Sequence, residues 1–260
     1  MSPCKRRFIS RCALMALSAS ASVAQTVSPT PGSIQDVSTE IPLPENFILE
    51  PQLQNGSQGS SISGNPLAFE HGSQFRPWLH YEAIPRITLT GSLSYIYAFT
   101  VPGTSYDKHP EWRVTAFATA KQKYAGSSTY EQLRFELLNF RATNGDVQHL
   151  PRVRARFGQN LFLSESRWKP YLGVYEEAIL QFPQPSYSGV HFEGARFFAG
   201  YGFEYGEKAR FLVGFKAEAE VSTNGSSVTL FYGPVLSVSY NFTSRPVNEK
   251  HRRTTAFKDF

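Results

Sequence analysis

The stretch "ARFLVGFKAEAEV", Ala209 to Val221, alternates without a break for thirteen residues. Phe211, Val213, Phe215, Ala217, Ala219 and Val221 fall on one side. Arg210, Leu212, Gly214, Lys216, Glu218 and Glu220 fall on the other. A period of two predicts a β-strand with unlike faces. Which face is inside decides the fold. A sheet in water buries its apolar face, whereas a membrane barrel turns that face to lipid and its charges to the lumen.

From Phe75 onward the alternation recurs, predicting strands over 75–82, 86–99, 111–124, 129–141, 150–163, 168–181, 190–205, 209–221 and 227–242. Most exceed the roughly 5–6 residues usual in soluble sheets and reach the roughly 9–11 that cross a bilayer when tilted. The faces agree from strand to strand. "RITLTGSLSYIYAF" sets Ile87, Leu89, Leu93, Tyr95, Tyr97 and Phe99 against Arg86, Thr88, Thr90, Ser92 and Ser94. "RVRARFGQNLFL" sets Val153, Ala155, Phe157, Leu161 and Leu163 against Arg152, Arg154, Arg156, Gly158 and Asn160. Aromatic residues gather near strand ends on the apolar side, and short turns alternate with longer connections, as in outer-membrane barrels.

These features predict an all-β chain: an antiparallel up-and-down transmembrane barrel of about ten strands (8–12), apolar face outward. Nine strands are directly readable, and bacterial single-chain barrels use even numbers. The missing strand is expected around "NPLAFE", Asn65–Glu70. A soluble secreted β-barrel binding protein is the alternative fold reading.

The formal charge of +5 is misleading, because residues 1–24 carry +4 and residues 243–260 carry +3, leaving −2 on 25–242. A nucleic-acid binder concentrates its basic excess on the folded domain, so no nucleic-acid partner is expected. The start, "MSPCKRRFISRCALMALSASASVAQT", has a basic segment, an apolar run and a small-residue site, which predicts a signal peptide over 1–24 cleaved near Ala24. Both cysteines, Cys4 and Cys12, lie inside it, which excludes disulfides from the mature chain. Residues 25–73, rich in Ser, Pro, Gly, Gln and Asn, read as a low-complexity leader or linker. The barrel is then 74–242, and 243–260 is a basic C-terminal tail.

The stretches "EQLRFELLNF", "RVRARFGQNLFL", "PYLGVYEEAIL" and "FEGARFFAGYGFEYGEKARFLVGF" resemble the uncharacterised outer-membrane barrel family called domain of unknown function 2490, over about 75–242. The resemblance rests on inward Arg and Glu and on a Gly-Tyr-rich strand, and it implies a small outer-membrane barrel with no assigned reaction. The leader and the tail depart from the family pattern. Its closing signal, normally at the extreme C-terminus, is matched by Tyr240 and Phe242.

Inward ionisable residues form the one constellation of interest: Arg134, Glu136, Arg152, Arg154, Arg156, Arg196, Glu204, Arg210, Lys216, Glu218 and Glu220, with Arg76, Glu82, Arg113 and Lys121. Two readings compete. The 152/154/156 row can line a charged path for anions, or the lumen can be filled by mutually satisfied ion pairs, as narrow barrels require; the second is favoured. The turn "YGEKA" and the faces predict a register summing to 414, with Glu204 opposite Arg210 and Arg196 opposite Glu218. Asn224-Gly225 predicts a hairpin pairing Val221 with Val228 and Glu220 with Thr229.

No catalytic residue, metal site or cofactor is expected. His80 with Glu82, His191 with Glu193, and Ser92 or Ser94 are the candidates for an alternative, a barrel enzyme acting on lipid or envelope glycan. The expected role is a passive channel or structural component of the Gram-negative outer membrane. Its expected partners are outer-membrane lipid and the assembly machinery.

Overall fold

A computed structural model describes residues 26–58, 70–99, 110–141, 147–164, 166–182, 189–206, 208–221 and 227–242. Eleven strands close into one barrel. They are β1 Thr26–Pro42, β2 Phe47–Gln58, β3 Glu70–Ile84, β4 Ile87–Phe99, β5 Glu111–Tyr124, β6 Ser127–Arg141, β7 Val147–Phe162, β8 Trp168–Gln181, β9 His191–Tyr205, β10 Ala209–Val221 and β11 Ser227–Asn241. Each strand pairs antiparallel with its sequence neighbours, and β1 closes parallel on β11. The parallel seam follows from parity. An odd number of alternating strands brings the first and last together in the same direction.

The eleven strands fall within the expected range of about ten (8–12), whereas the even number and the wholly antiparallel pattern expected from sequence are corrected by the parallel seam. The two additional strands lie inside 25–73, so residues 26–58 are barrel wall rather than linker. Asn65–Phe69 falls outside the described residues, and Glu70 opens β3. Pro29 and Pro31 lie where, among the described residues, Thr26–Pro31 pairs with β11 alone, the ladder to β2 beginning at Gly32. Proline lacks an N–H and belongs on such one-sided stretches.

The barrel is inside out. Val213, Leu53 and Val37 on the outer face are 59%, 61% and 60% exposed. Arg134 on the inner face is 1% exposed. On the outside, aromatic pairs crowd the rim with the shorter connections: Phe47 with Tyr81 at 4.8 Å, Trp168 with Tyr205 at 4.4 Å and Tyr240 with Phe242 at 4.9 Å. Tyr95 with Trp112 at 4.7 Å lies toward the other rim. The rims differ. At one rim the strand ends flank positions 43–46, 85–86, 125–126, 163–167 and 206–208, and at the other they flank positions 59–69, 100–110, 142–146, 182–190 and 222–226.

The registers of the last two hairpins match the sequence reading. Glu204 pairs with Arg210, Gly200 with Gly214 and Arg196 with Glu218. Val221 pairs with Val228 and Glu220 with Thr229, although Asn224-Gly225 itself lies outside the described residues.

The seam depends on two glycines. A Cβ at Gly233 would overlap the carbonyl of Gly32, a backbone group with no rotamer to yield. Gly233→Val should therefore destabilise closure by about 1–3 kcal/mol, the usual cost of overpacking. Gly72→Ala meets nothing within 4 Å and should be silent. Denaturant midpoints of the refolded barrel check this, and equal midpoints for the two variants would contradict the role given to Gly233.

Candidate functional site in the barrel interior

Inward positions on β5 to β10 build a lattice around two carboxylates. The arginines at 152, 154 and 156 occupy successive inward positions of β7. Pairing sets Arg152 opposite Glu136 and Arg154 opposite Arg134 on β6, and Arg156 opposite Glu177 on β8. Like charges directly opposed are unfavourable, so Arg134 and Arg154 need acid on both flanks. Glu136 Oε1 accepts from Arg154 Nη1 at 2.8 Å and lies 3.5 Å from Arg134 Nη1. Its other oxygen is 3.2 Å from Arg152 Nη2. Glu177 Oε1 accepts from Arg154 Nη2 at 2.5 Å and Arg196 Nη1 at 3.3 Å, and its Oε2 from Arg156 Nε at 2.8 Å.

The lattice extends outward from these hubs. Arg196 is paired with Glu218, which also holds Lys216 at 2.7 Å. Arg152 donates to Glu193 at 2.5 Å and Arg113 to Glu111 at 2.8 Å. Seven cations (Arg113, Arg134, Arg152, Arg154, Arg156, Arg196 and Lys216) thus pair with five acids (Glu111, Glu136, Glu177, Glu193 and Glu218), with a sixth, Glu220, nearby but unpaired among the described residues. The near balance matters, because an anion path needs uncompensated positive charge.

Below the lattice lies an aromatic layer. Tyr175 and Phe198 stack at 5.2 Å and 15°, with Tyr130, Tyr171, Leu212 and Val235 in the same buried cluster. Glycines make room for the rings. A Cβ at Gly200 or Gly214 would strike Phe198, one at Gly202 would strike Tyr171, and one at Gly158 would strike Tyr130. This explains the Gly-Tyr-rich strand. Arg156 spans both layers, its guanidinium carbon 4.4 Å from the Tyr175 ring centre.

The wall of β1 to β4 carries two hydrogen-bonded chains. Trp78 Nε1 donates to Gln52 Oε1 at 2.8 Å, and Gln52 Nε2 donates to Asp36 Oδ2 at 2.6 Å. His80 lies 3.0 Å through Nε2 from Glu50 Oε2 and 2.9 Å through Nδ1 from Thr90 Oγ1. His80 therefore takes Glu50, not Glu82, as its carboxylate. Glu193 is engaged by Arg152, and Ser92 and Ser94 bond each other at 3.1 Å.

Of the inward ionisable residues derived from sequence, nine enter the lattice: Arg113, Arg134, Glu136, Arg152, Arg154, Arg156, Arg196, Lys216 and Glu218. Glu204 and Arg210 form a separate pair at 2.7 Å near the short-connection rim. Glu220 faces Gly194 and Thr229 and makes no ion pair among the described residues. Tyr240 is outward on β11, and the Phe242 amide donates to the Glu40 carbonyl at 3.1 Å across the seam. Sequence reasoning missed Glu177, Glu50 and Asp36. Glu177 shares its face with Tyr171, Gly173 and Tyr175, and that alternation was the available signal. The adjacent Glu176 obscured it.

Residues 46–226 match the family described as protein of unknown function (DUF2490). The chain belongs to that family. No curated protein and no solved structure matches it. The DUF2490 match starts earlier than the sequence resemblance suggested and covers β2 to β10, so both strands of the parallel seam lie beyond it.

Removing one partner from a buried ion pair typically costs about 3–5 kcal/mol. Glu177→Gln, at a carboxylate holding three arginines, should fall in that range. Glu218→Arg should also destabilise, and adding Arg196→Glu should recover only part of the loss, because the new carboxylate would stand beside Glu177. Urea midpoints across this cycle check both statements, and full recovery in the double variant would show that Glu177 does not restrain Arg196.

Proposed function

We propose that this chain is an integral outer-membrane β-barrel filled by its own side chains, a structural envelope component rather than an open diffusion pore. The inverted hydropathy carries the reading. An apolar exterior around a charged, ion-paired interior is the arrangement of a barrel solvated by lipid. Trp112 and Tyr124, both exposed on the outside of β5, are separated by Val114, Ala116, Ala118, Ala120 and Gln122. Twelve residues at ~3.3 Å each give roughly 40 Å along the strand. A tilt near 45° reduces this to roughly 28 Å, close to the ~25 Å apolar band of such barrels.

The filled lumen favours the structural role. Residues lining a water channel stay accessible, yet Arg154, Arg156 and Glu177 are each 3% exposed. Export through a signal peptide cleaved near Ala24 and assembly through the terminal strand, with Tyr240 and Phe242 outward, complete the reading. The short-connection rim faces the periplasm. Thr26 then lies at the outer rim and Asn241 at the periplasmic one.

Three measurements test this. The protein should fractionate with the outer membrane and migrate in a heat-dependent way, with deletion of 243–260 leaving both properties intact. An epitope placed before Thr26 should be stained on intact cells, and one in the 206–208 turn should not. In a planar bilayer the refolded protein should give no large, long-lived conductance steps, and steady porin-like steps would refute the filled lumen.

One observation favours an enzyme as second reading: Thr90, His80 and Glu50 form a hydroxyl–imidazole–carboxylate chain. Such a chain is the arrangement that activates a nucleophile. Thr90→Ala and His80→Ala should abolish hydrolysis of fluorogenic acyl esters if this reading is correct. Absence of wild-type hydrolysis would eliminate it.

A further inference from the structure

The outer face is not uniformly apolar. Glu131 on β6 is exposed, pairing with Ala120 and Phe157, and Glu176 on β8 is half-buried between Phe157 and Phe197. Gln159 on β7 is another outward polar side chain of this wall, opposite Thr129 and Val174. None of the three makes an ion pair or side-chain hydrogen bond among the described residues. Measured from the short-connection rim, Glu131 is four residues in from Ser127, Gln159 three in from Phe162 and Glu176 eight in from Trp168. On the membrane reading, on which this inference rests, all three lie within the apolar band. Ionisable groups there mark partner or functional surfaces, because lipid offers them nothing.

We infer that the β5–β8 face is a self-association surface, joining two copies of this chain side by side in the membrane. Membrane orientation restricts a two-fold axis to the bilayer normal, so facing residues must share a depth, and an isologous contact makes each pairing twice. Glu131 and Gln159 satisfy both conditions. They sit on neighbouring strands at nearly the same depth, and an axis between β6 and β7 sets the carboxylate of one copy against the amide donor of the other. Several flanking side chains are small and exposed, Ala116, Ala118 and Ala120 on β5, Ala155 on β7 and Ala178 on β8, beside the larger Leu133 and Phe135 of β6. Small residues with polar groups between them are the usual composition of contacts within membranes. Glu176, one strand further out, is shielded from lipid by the partner's β5.

Introduced cysteines test this cleanly, since Cys4 and Cys12 precede the barrel. Ala155→Cys, close to the axis, should give an oxidised species of twice the chain mass in whole cells and in detergent-purified protein. Val213→Cys, outward on β10, should not. In the Ala155→Cys background Gln159→Glu should abolish the dimer by opposing two carboxylates, and adding Glu131→Gln should restore it by exchanging the pair. An adduct of any other mass would identify a different neighbour and overturn the inference. So would no adduct, equal adducts at both cysteines, or a dimer unaffected by Gln159→Glu. Fractionation of the same cells reads the membrane assignment separately: monomers in the outer membrane sink only the association, whereas soluble protein sinks the membrane reading.

Discussion

Arg154 cannot be carried inside this barrel without acid on both sides. It lies between Arg152 and Arg156 on its own strand and opposite Arg134 on the next. An unpaired buried ion costs several kcal/mol even after relaxation. The neighbouring strands must therefore bring carboxylates to matching heights, which Glu136 on β6 and Glu177 on β8 do. The lattice specifies more than it stabilises. A slip of one residue would turn a whole strand's face outward. A slip of two between β7 and β8 would move Glu177 from Arg156 to Arg154 or Gly158 and displace Tyr175 from its place opposite Gly158. Ion pairing and the fit of rings over glycines thus select the same register.

Water is a poor environment for this architecture. The buried apolar cluster is limited to residues such as Tyr130, Tyr171, Tyr175, Phe198, Leu212 and Val235. Far more apolar surface lies on the outside, where folding alone does not remove it from solvent. The hydrophobic contribution, roughly 25 cal/mol per Å² buried, is realised only when another apolar phase covers that surface. Strand closure satisfies the backbone polar groups inside the wall, which lipid requires of any spanning structure.

How much of this was legible in the sequence depended on contrast between faces. From β3 to β11 the wall alternates between large apolar and polar or glycine positions, and strand boundaries came within a few residues. The β9–β10 register was readable because its connection is short, its faces fix the parity and opposite charges fall together, and the β10–β11 register because Asn224-Gly225 marks a hairpin turn in the sequence. β1 and β2 were not recognised because Ser, Gln, Asn and Pro compose both a flexible linker and the inner wall of a polar lumen. Their outward Val37, Ile41, Leu49 and Leu53 are too widely spaced to dominate a window. His80 was assigned the wrong carboxylate for the same reason: Glu50 lies thirty residues away in a segment read as linker. Glu177 was lost to its neighbour, since consecutive glutamates conceal which one continues the inward alternation.

The odd strand count also bears on how the barrel forms. Every other neighbouring pair is a hairpin or a short-range antiparallel contact, whereas β1 meets β11 across a separation of 201 residues. Long-range pairings must meet their loop-closure entropy before their contacts contribute, and parallel ladders are slightly weaker per residue. The seam is therefore the step most dependent on the rest being in place. It also runs from one rim to the other, with Thr26 beside Ser227 and Glu40 beside Asn241, so a partly zipped seam leaves a full-height opening in the wall. Close approach at Gly32 and Gly233, where neither residue has a side chain, lets the two strands meet midway along the seam. The Phe242 amide donates to the Glu40 carbonyl at the end where Glu40 meets Asn241. Closure is thereby held at the middle and at one end of the longest-range strand pairing among the described residues, where two unpaired edges would otherwise face each other across an open wall.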